Sequence, residues 1–138
     1  MDLNNGEIMD YLREKDIKPS SIRIKVLKYL MDNQIHPTVD DIYKGIGDDI
    51  PTLSRTSIYN TVNLFKQNGV VVEINLGEKE SRYDINTKPH GHFKCEKCGN
   101  IYDFPLPENL NKKLSNFTIN RMSINYYGLC PDCRKESE

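Results

Sequence analysis

Apolar residues in the N-terminal half of the chain return at intervals of three and four, the spacing that lays a single stripe along an α-helix. Ile8, Tyr11 and Leu12 predict a short first helix that stops near Lys18-Pro19, because the residue before a proline disfavours helix. Ile22, Val26, Leu27, Leu30 and Met31 predict a second, capped by Ser20 or Ser21 and running to Asn33. His36-Pro37 marks a loop. Thr38, with Asp41 three residues on, resembles a capping box with a shortened acid, and Val39, Ile42, Tyr43 and Ile46 supply the buried face of a third helix that Gly47 and Pro51 end. A fourth helix starts at Ser54 and stops at Gly69, a residue suited to a left-handed cap. The pattern then changes period. Val70 to Leu76 is rich in β-branched residues, Gly77-Glu78-Lys79-Glu80 makes a turn, and Ser81 to Ile85 returns as a second strand. Helices followed by a hairpin describe a winged helix-turn-helix over residues 1–85, and Asn86 to Pro89 has the character of a linker.

Residues 86–138 predict a smaller, more β-rich domain, so the fold class is α+β: an N-terminal winged helix and a small C-terminal α/β domain. An extended stretch from His90 leads into Cys95, and Ile101 to Phe104 continues as a strand until Pro105 and Pro107 break it. A short helix over Glu108 to Leu114 precedes a strand-like run from Phe117 to Tyr127. A sheet this small has exposed edges and little core, and dimerisation through it would cover both.

The fourth helix has two faces of different kind. Ile58, Val62 and Phe65 point inward, whereas Arg55, Tyr59, Asn63 and Lys66 recur on the other side with Asn60 beside them. Basic, aromatic and amide side chains together are the groups that grip phosphates and meet base edges when a helix enters a major groove. An ordinary solvated face with Tyr59 half-buried is the competing reading of this helix alone. The chain has a formal net charge of -1, so no global case for nucleic acid exists, yet Pro51 to Val72 contains no acid while Arg55 and Lys66 are basic. In the hairpin, Lys79 and Arg82 are placed to touch backbone phosphates.

With 37% hydrophobic and 28% charged residues the composition is that of a soluble globular protein. The opening residues carry acids where a signal peptide needs bases, which points to the cytoplasm. In that reducing compartment the four cysteines, arranged as Cys95-x-x-Cys98 and Cys130-x-x-Cys133, fit one tetrahedral zinc better than disulfides. The long separation of the two pairs predicts that each hangs on a different strand and that zinc ties the strands together. A thiol oxidoreductase is the alternative from another functional class, although no redox βαβ pattern surrounds either pair. No nucleophile with an assignable base argues for an enzyme.

A four-thiolate shell leaves no open position, so the histidines are available for a second site. If the segment is extended, His90 and His92 face the same side, with Asp103 beyond them. His36 alone is most simply a loop histidine. Taken with Asp84 at the end of the hairpin, however, it completes a set of three imidazoles and two carboxylates spanning both domains. Nitrogen and oxygen donors without thiolate suit iron(II) or manganese(II).

At this point the sequence resembles the ferric uptake regulator family, and within it the peroxide-sensing branch. The likeness rests on Arg23, the run Ser57-Ile58-Tyr59-Asn60-Thr61, the H-x-H-x-x-C-x-x-C segment, Asp103 and the ending Tyr-Gly-Leu-Cys-Pro-Asp-Cys. The resemblance implies a homodimeric repressor bound to a palindromic DNA operator through Arg55, Ser57, Tyr59, Asn60, Asn63 and Lys66. It implies structural zinc at Cys95, Cys98, Cys130 and Cys133, and a regulatory iron or manganese at His36, Asp84, His90, His92 and Asp103. It also implies oxidation of His36 or His90 by peroxide. Iron-sensing branches usually place glutamates among these positions, and Asn125 stands where the family commonly has a glutamate, which disfavours an additional site. A plain iron- or manganese-responsive repressor is the alternative within the family.

Overall fold

Polar caps set where the N-terminal helices begin. Asn4 and Glu7 form a reciprocal capping box at the head of α1 (Asn5–Glu14), and the Ser20 side chain accepts from the Arg23 amide to open α2 (Ser21–Asp32). Thr38 and Asp41 do the same for α3 (Val39–Ile46), and Ser54 with Ser57 for α4 (Arg55–Gln67). The α3 helix runs into a short 3-10 turn, Gly47–Asp49. Beyond α4 the chain reverses at Gly69, whose φ of 74° is the left-handed value that a side chain would resist.

The computed structural model describes residues 3–34 and 36–137. The chain divides into two compact units, Met1–Thr87 and Lys88–Glu138. In the first, Ile8, Leu12, Val26, Leu27, Leu30, Ile42, Ile58, Val62 and Phe65 interlock as one buried cluster. Burying each large apolar side chain contributes about 1.5–3 kcal/mol, so this shared core fixes the placement of α4. The hairpin that follows, β1 (Val72–Ile74) and β2 (Arg82–Asp84), is antiparallel and pairs Val72 with Asp84 and Ile74 with Arg82. The strands are shorter than the sequence predicts. Val70 closes the end of α4 by donating to the Phe65 carbonyl at 2.8 Å, and Val70 and Val71 are buried in the helical core rather than paired in the ladder. Helices α2 to α4 with this hairpin form the winged helix-turn-helix.

The second unit is a three-stranded sheet in the order β4-β3-β5. Strand β3 (Gly91–Cys95) is central, antiparallel to β4 (Ile101–Phe104) and parallel to β5 (Asn125–Gly128). Helix α5 (Pro131–Ser137) follows. Two expectations differ from what is seen. The helix over 108–114 is a series of turns with one 3-10 turn at Lys112–Leu114, and the run from Phe117 to Tyr127 is strand only where it enters β5 (Asn125–Gly128), from Asn125 on. Alternation favours an extended chain, but a ladder needs a partner, and β3 is five residues long. Among the described residues no helix is long and apolar enough to cross a membrane.

The caps carry a testable consequence. Thr38→Ala removes the bond from the Asp41 amide to the Thr38 hydroxyl, leaving the Thr38 amide on the Asp41 carboxylate, and is expected to lower stability by about 1 kcal/mol. In urea denaturation the midpoint should fall with an unchanged slope; an unchanged midpoint would show that the cap contributes nothing to α3.

Candidate metal centres and nucleic-acid interface

The two cysteine pairs lie at the ends of neighbouring strands. Cys95 closes β3, Gly128 at the end of β5 is its ladder partner, and Cys130 and Cys133 follow immediately. The four sulfur atoms all lie within 4.8 Å of one another, and Cys98 Sγ is 3.8 Å from Cys130 Sγ. A tetrahedron of sulfurs about 2.3 Å from zinc has edges of about 3.8 Å, so the cluster has the size the ion requires. No disulfide joins the cysteines. Backbone amides point at the sulfurs: those of Cys98 and Cys130 at Cys95 Sγ (3.5 and 3.4 Å), and that of Cys133 at Cys130 Sγ (3.5 Å). Such donors stabilise a thiolate. The amides of Cys98 and Cys130 bring the Cys95 thiol down to about 6, whereas the neighbouring Cys130 sulfur pushes the Cys133 thiol up to about 12. Four thiolates could share this space only around a cation, a demand that a zinc ion would answer.

The histidine and aspartate residues form one group in each unit. In the first, His36 Nε2 and Asp84 Oδ2 are 3.3 Å apart, and both side chains are buried. In the second, β3 and β4 place His92 directly across the ladder from Asp103. Asp103 Oδ1 lies 3.6 Å from His92 Nε2 and 3.7 Å from His90 Nε2, and the two imidazole centroids are 4.4 Å apart. Separations of 3.6 Å and more are too long for hydrogen bonds. They are close to the spacing of donor atoms ranged around an ion, which stand about 3.0–3.6 Å from one another when each is about 2.1 Å from a divalent cation. His90 Nδ1 lies 2.7 Å from the Lys88 carbonyl, an acceptor only, so Nδ1 carries the proton and the lone pair is left on Nε2. Gly91, between the two histidines, lies beneath Phe104: a Cβ there would meet the ring at 2.2 Å. That ring stacks on Tyr126 with centroids 5.5 Å apart, so a side chain at position 91 would displace the strand carrying Asp103.

On α4, Arg55, Tyr59, Asn60, Asn63 and Lys66 are all exposed, as is Thr56, which the spacing argument missed although it falls on the same side. Arg55 is already engaged. Its guanidinium reaches Asp40 of α3 at 2.8 and 3.2 Å and lies over the Tyr43 ring at 4.3 Å from its centroid. Hydrogen bonds from Arg55 hold the Asp40 carboxyl below its ordinary value. Lys66 Nζ is 3.7 Å from Glu73. Ser57, a further candidate DNA contact, has its hydroxyl engaged within the helix cap, donating to the Ser54 carbonyl at 2.7 Å. In the wing, Lys79 is exposed. Arg82 is not placed to meet phosphate. Its guanidinium is held by Glu78 at 2.7 and 3.1 Å and donates to the His36 carbonyl at 3.1 Å.

The model of the ferric uptake regulator family matches residues 14–127. The peroxide-responsive repressor PerR of Staphylococcus aureus (strain Mu50 / ATCC 700699) is 37% identical over 128 residues, which cover 89% of this chain and 86% of that protein. Among solved structures, the Campylobacter jejuni peroxide stress regulator superposes with a TM-score of 0.67 at 30% identity, covering 96% of this chain and 100% of the other. The Helicobacter pylori ferric uptake regulator superposes with a TM-score of 0.76 at 21% identity, over 96% and 95% of the two chains.

The cysteine cluster makes a direct prediction. If the cluster holds zinc, the ion should be retained near neutral pH and lost as pH falls, because thiolate ligands take back their protons in acid. A chromophoric chelator titrated against pH measures this. Four thiols reacting at once with a thiol reagent in the zinc-loaded native protein would contradict the assignment.

Proposed function

The chain belongs to the ferric uptake regulator family, and from that premise we propose that it is a metal-dependent, DNA-binding transcriptional repressor of the peroxide-responsive kind. The observation that carries this reading is the donor set of His36, Asp84, His90, His92 and Asp103, in which every carboxylate is an aspartate and every other ligand an imidazole. It is supported by the identity with a peroxide-responsive repressor over most of the chain. One cation would take His36 and Asp84 from the first unit and His90, His92 and Asp103 from the second. Differential affinity for the arrangement that supplies all five donors is what lets such an ion act as a switch. The four cysteines would hold structural zinc.

In the repressing form the protein is a homodimer in the cytoplasm. The exposed apolar side chains of the second unit, Phe117, Tyr126 and Tyr127 among them, support a second copy as their cover. Two α4 helices would meet a palindromic operator about one helical turn apart. Tyr59, Asn60 and Asn63 would face base edges, with Arg55, Lys66 and Lys79 toward phosphate. The Arg55–Asp40 pair would orient its guanidinium before DNA arrives, while Ser57 caps the helix that carries them.

Bound iron(II) would lend one electron to cleave the O–O bond of peroxide beside the ring nitrogens and recover it as the ring is oxidised, whereas manganese(II) would support repression without that chemistry. His36 or His90 would then gain one oxygen atom of the peroxide, the other leaving as water, and lose its capacity as a ligand. Without it the remaining donors no longer hold one arrangement of the units, and the operator is released.

Anaerobic protein loaded with iron(II) is expected to bind its operator and to lose it after a small peroxide pulse, with a His36 or His90 peptide one oxygen atom heavier by mass spectrometry. The manganese(II) form should keep both its binding and its mass. Continued binding of the iron form with unmodified histidines would instead favour a plain iron- or manganese-responsive repressor. Separately, Tyr59→Ala should weaken operator binding by about 1–3 kcal/mol while zinc content is unchanged; equal affinity would remove Tyr59 from the interface.

A further inference from the structure

Strand β2 grips the loop that carries His36 at three successive residues. Arg82 Nη1 donates to the His36 carbonyl at 3.1 Å, the Tyr83 amide donates to the Pro37 carbonyl at 3.0 Å, and Asp84 Oδ2 faces His36 Nε2 at 3.3 Å. The grip matters because His36 has a φ of 58°, in the left-handed region that L residues seldom occupy. A residue persists there where its surroundings over-determine it. The first and third contacts bear on His36 itself: one holds its backbone and the other its ring. Arg82 and Asp84 lie two apart on a strand and so share a face.

Arg82 is in turn oriented from the wing. Its Nε and Nη2 meet the two carboxylate oxygens of Glu78 at 2.7 and 3.1 Å, a paired geometry that fixes the plane of the guanidinium and leaves Nη1 for the His36 carbonyl. The Arg82 and Glu78 side chains are only 20% and 23% exposed, so water does not readily replace either contact. A lysine cannot reproduce this arrangement, because a single ammonium lacks the planar fork that reaches both partners.

We propose that Arg82 is a positioning residue for the regulatory ligand His36, and that Glu78–Arg82–His36 is the link by which the wing turn sets the ligand's conformation. The inference rests on the reading of His36 as a ligand in the proposed regulatory site. Arg82 touches no cation; it acts by holding the backbone conformation from which the His36 ring meets Asp84. Loss of the link should therefore weaken cation binding by the amount that outer partners of metal ligands usually control, about tenfold or more. Glu78→Gln keeps the side chain and loses the charge, so it should shift binding in the same direction by less.

The test is equilibrium manganese(II) binding to the zinc-loaded protein in wild type, Arg82→Met, Arg82→Lys, Glu78→Gln, His36→Ala and the His36→Ala/Arg82→Met double variant. Zinc content and thermal midpoint are measured on each. Two results are expected: a loss of about tenfold or more in Arg82→Met that largely vanishes in the His36→Ala background, and a loss in Arg82→Lys too. In protein without manganese, the His36 ring resonances should shift in Arg82→Met. Unchanged affinity in both Arg82 variants overturns the proposal, as does a loss that persists undiminished when His36 is absent, since that is the mark of a merely structural role. If Arg82→Met does not fold, Arg82→Lys and Glu78→Gln decide by the same criterion, each paired with His36→Ala. Should His36→Ala itself leave manganese binding unchanged, the regulatory-site reading fails first and takes the inference with it. That outcome is distinguished by wild-type and His36→Ala affinities that coincide.

Discussion

Among the described residues of the second unit, the buried cluster consists of Cys95, Cys130 and Cys133 with Phe93 packed against them. A sheet of three short strands cannot bury enough apolar surface to stand on its own, and sulfur ligation of a cation is a recognised substitute for a core. Everything else in this unit depends on that closure. It joins the end of β3 to the segment after β5, and β3 carries His92 and, just before it, His90. It also sets β4, whose Asp103 oxygen stands between the two imidazoles. In the proposed reading the same chain segment would supply ligands of two chemical kinds, and the sulfur set, being closed, would leave the nitrogen and oxygen set to respond to conditions.

The first unit solves a different problem. A helical core with fully buried Ile58, Val62 and Phe65 holds α4 rigidly, so its other face stays polar and exposed. The wing is not simply an appendage to that core. Through Arg82, Tyr83 and Asp84, its second strand fixes the loop that bears His36. A strand proposed to follow DNA at one end therefore bears on a proposed ligand at the other, which is the kind of shared element that coupling between two sites requires.

Much of this is legible in the sequence because local rules agree with one another. Thr38 and Asp41 stand at capping-box spacing, and Ser54 and Gly69 bracket a helix whose apolar residues keep one stripe. The cysteine pairs have the spacing of a closed zinc shell. What is not legible depends on partners distant in the chain. Arg82 looks like a wing cation until Glu78 and the His36 carbonyl are seen to hold it, and no periodicity announces a contact between residues 36 and 82. Ser57 falls on the polar side of α4, yet its hydroxyl closes the cap. The alternation from Phe117 to Tyr127 suggests a long strand, but alternation measures a tendency to extend and says nothing of whether a ladder partner exists.

The central claim is that two cations occupy chemically separate sites in one chain, zinc among sulfurs and the regulatory ion among imidazoles and carboxylates. X-ray absorption at both metal edges of a single zinc-containing, manganese-loaded sample tests it most directly. The account predicts four sulfur neighbours about 2.3 Å from zinc, and around manganese only nitrogen and oxygen, with the scattering signature of imidazole. Sulfur in the manganese shell, or imidazole in place of sulfur around zinc, would contradict it.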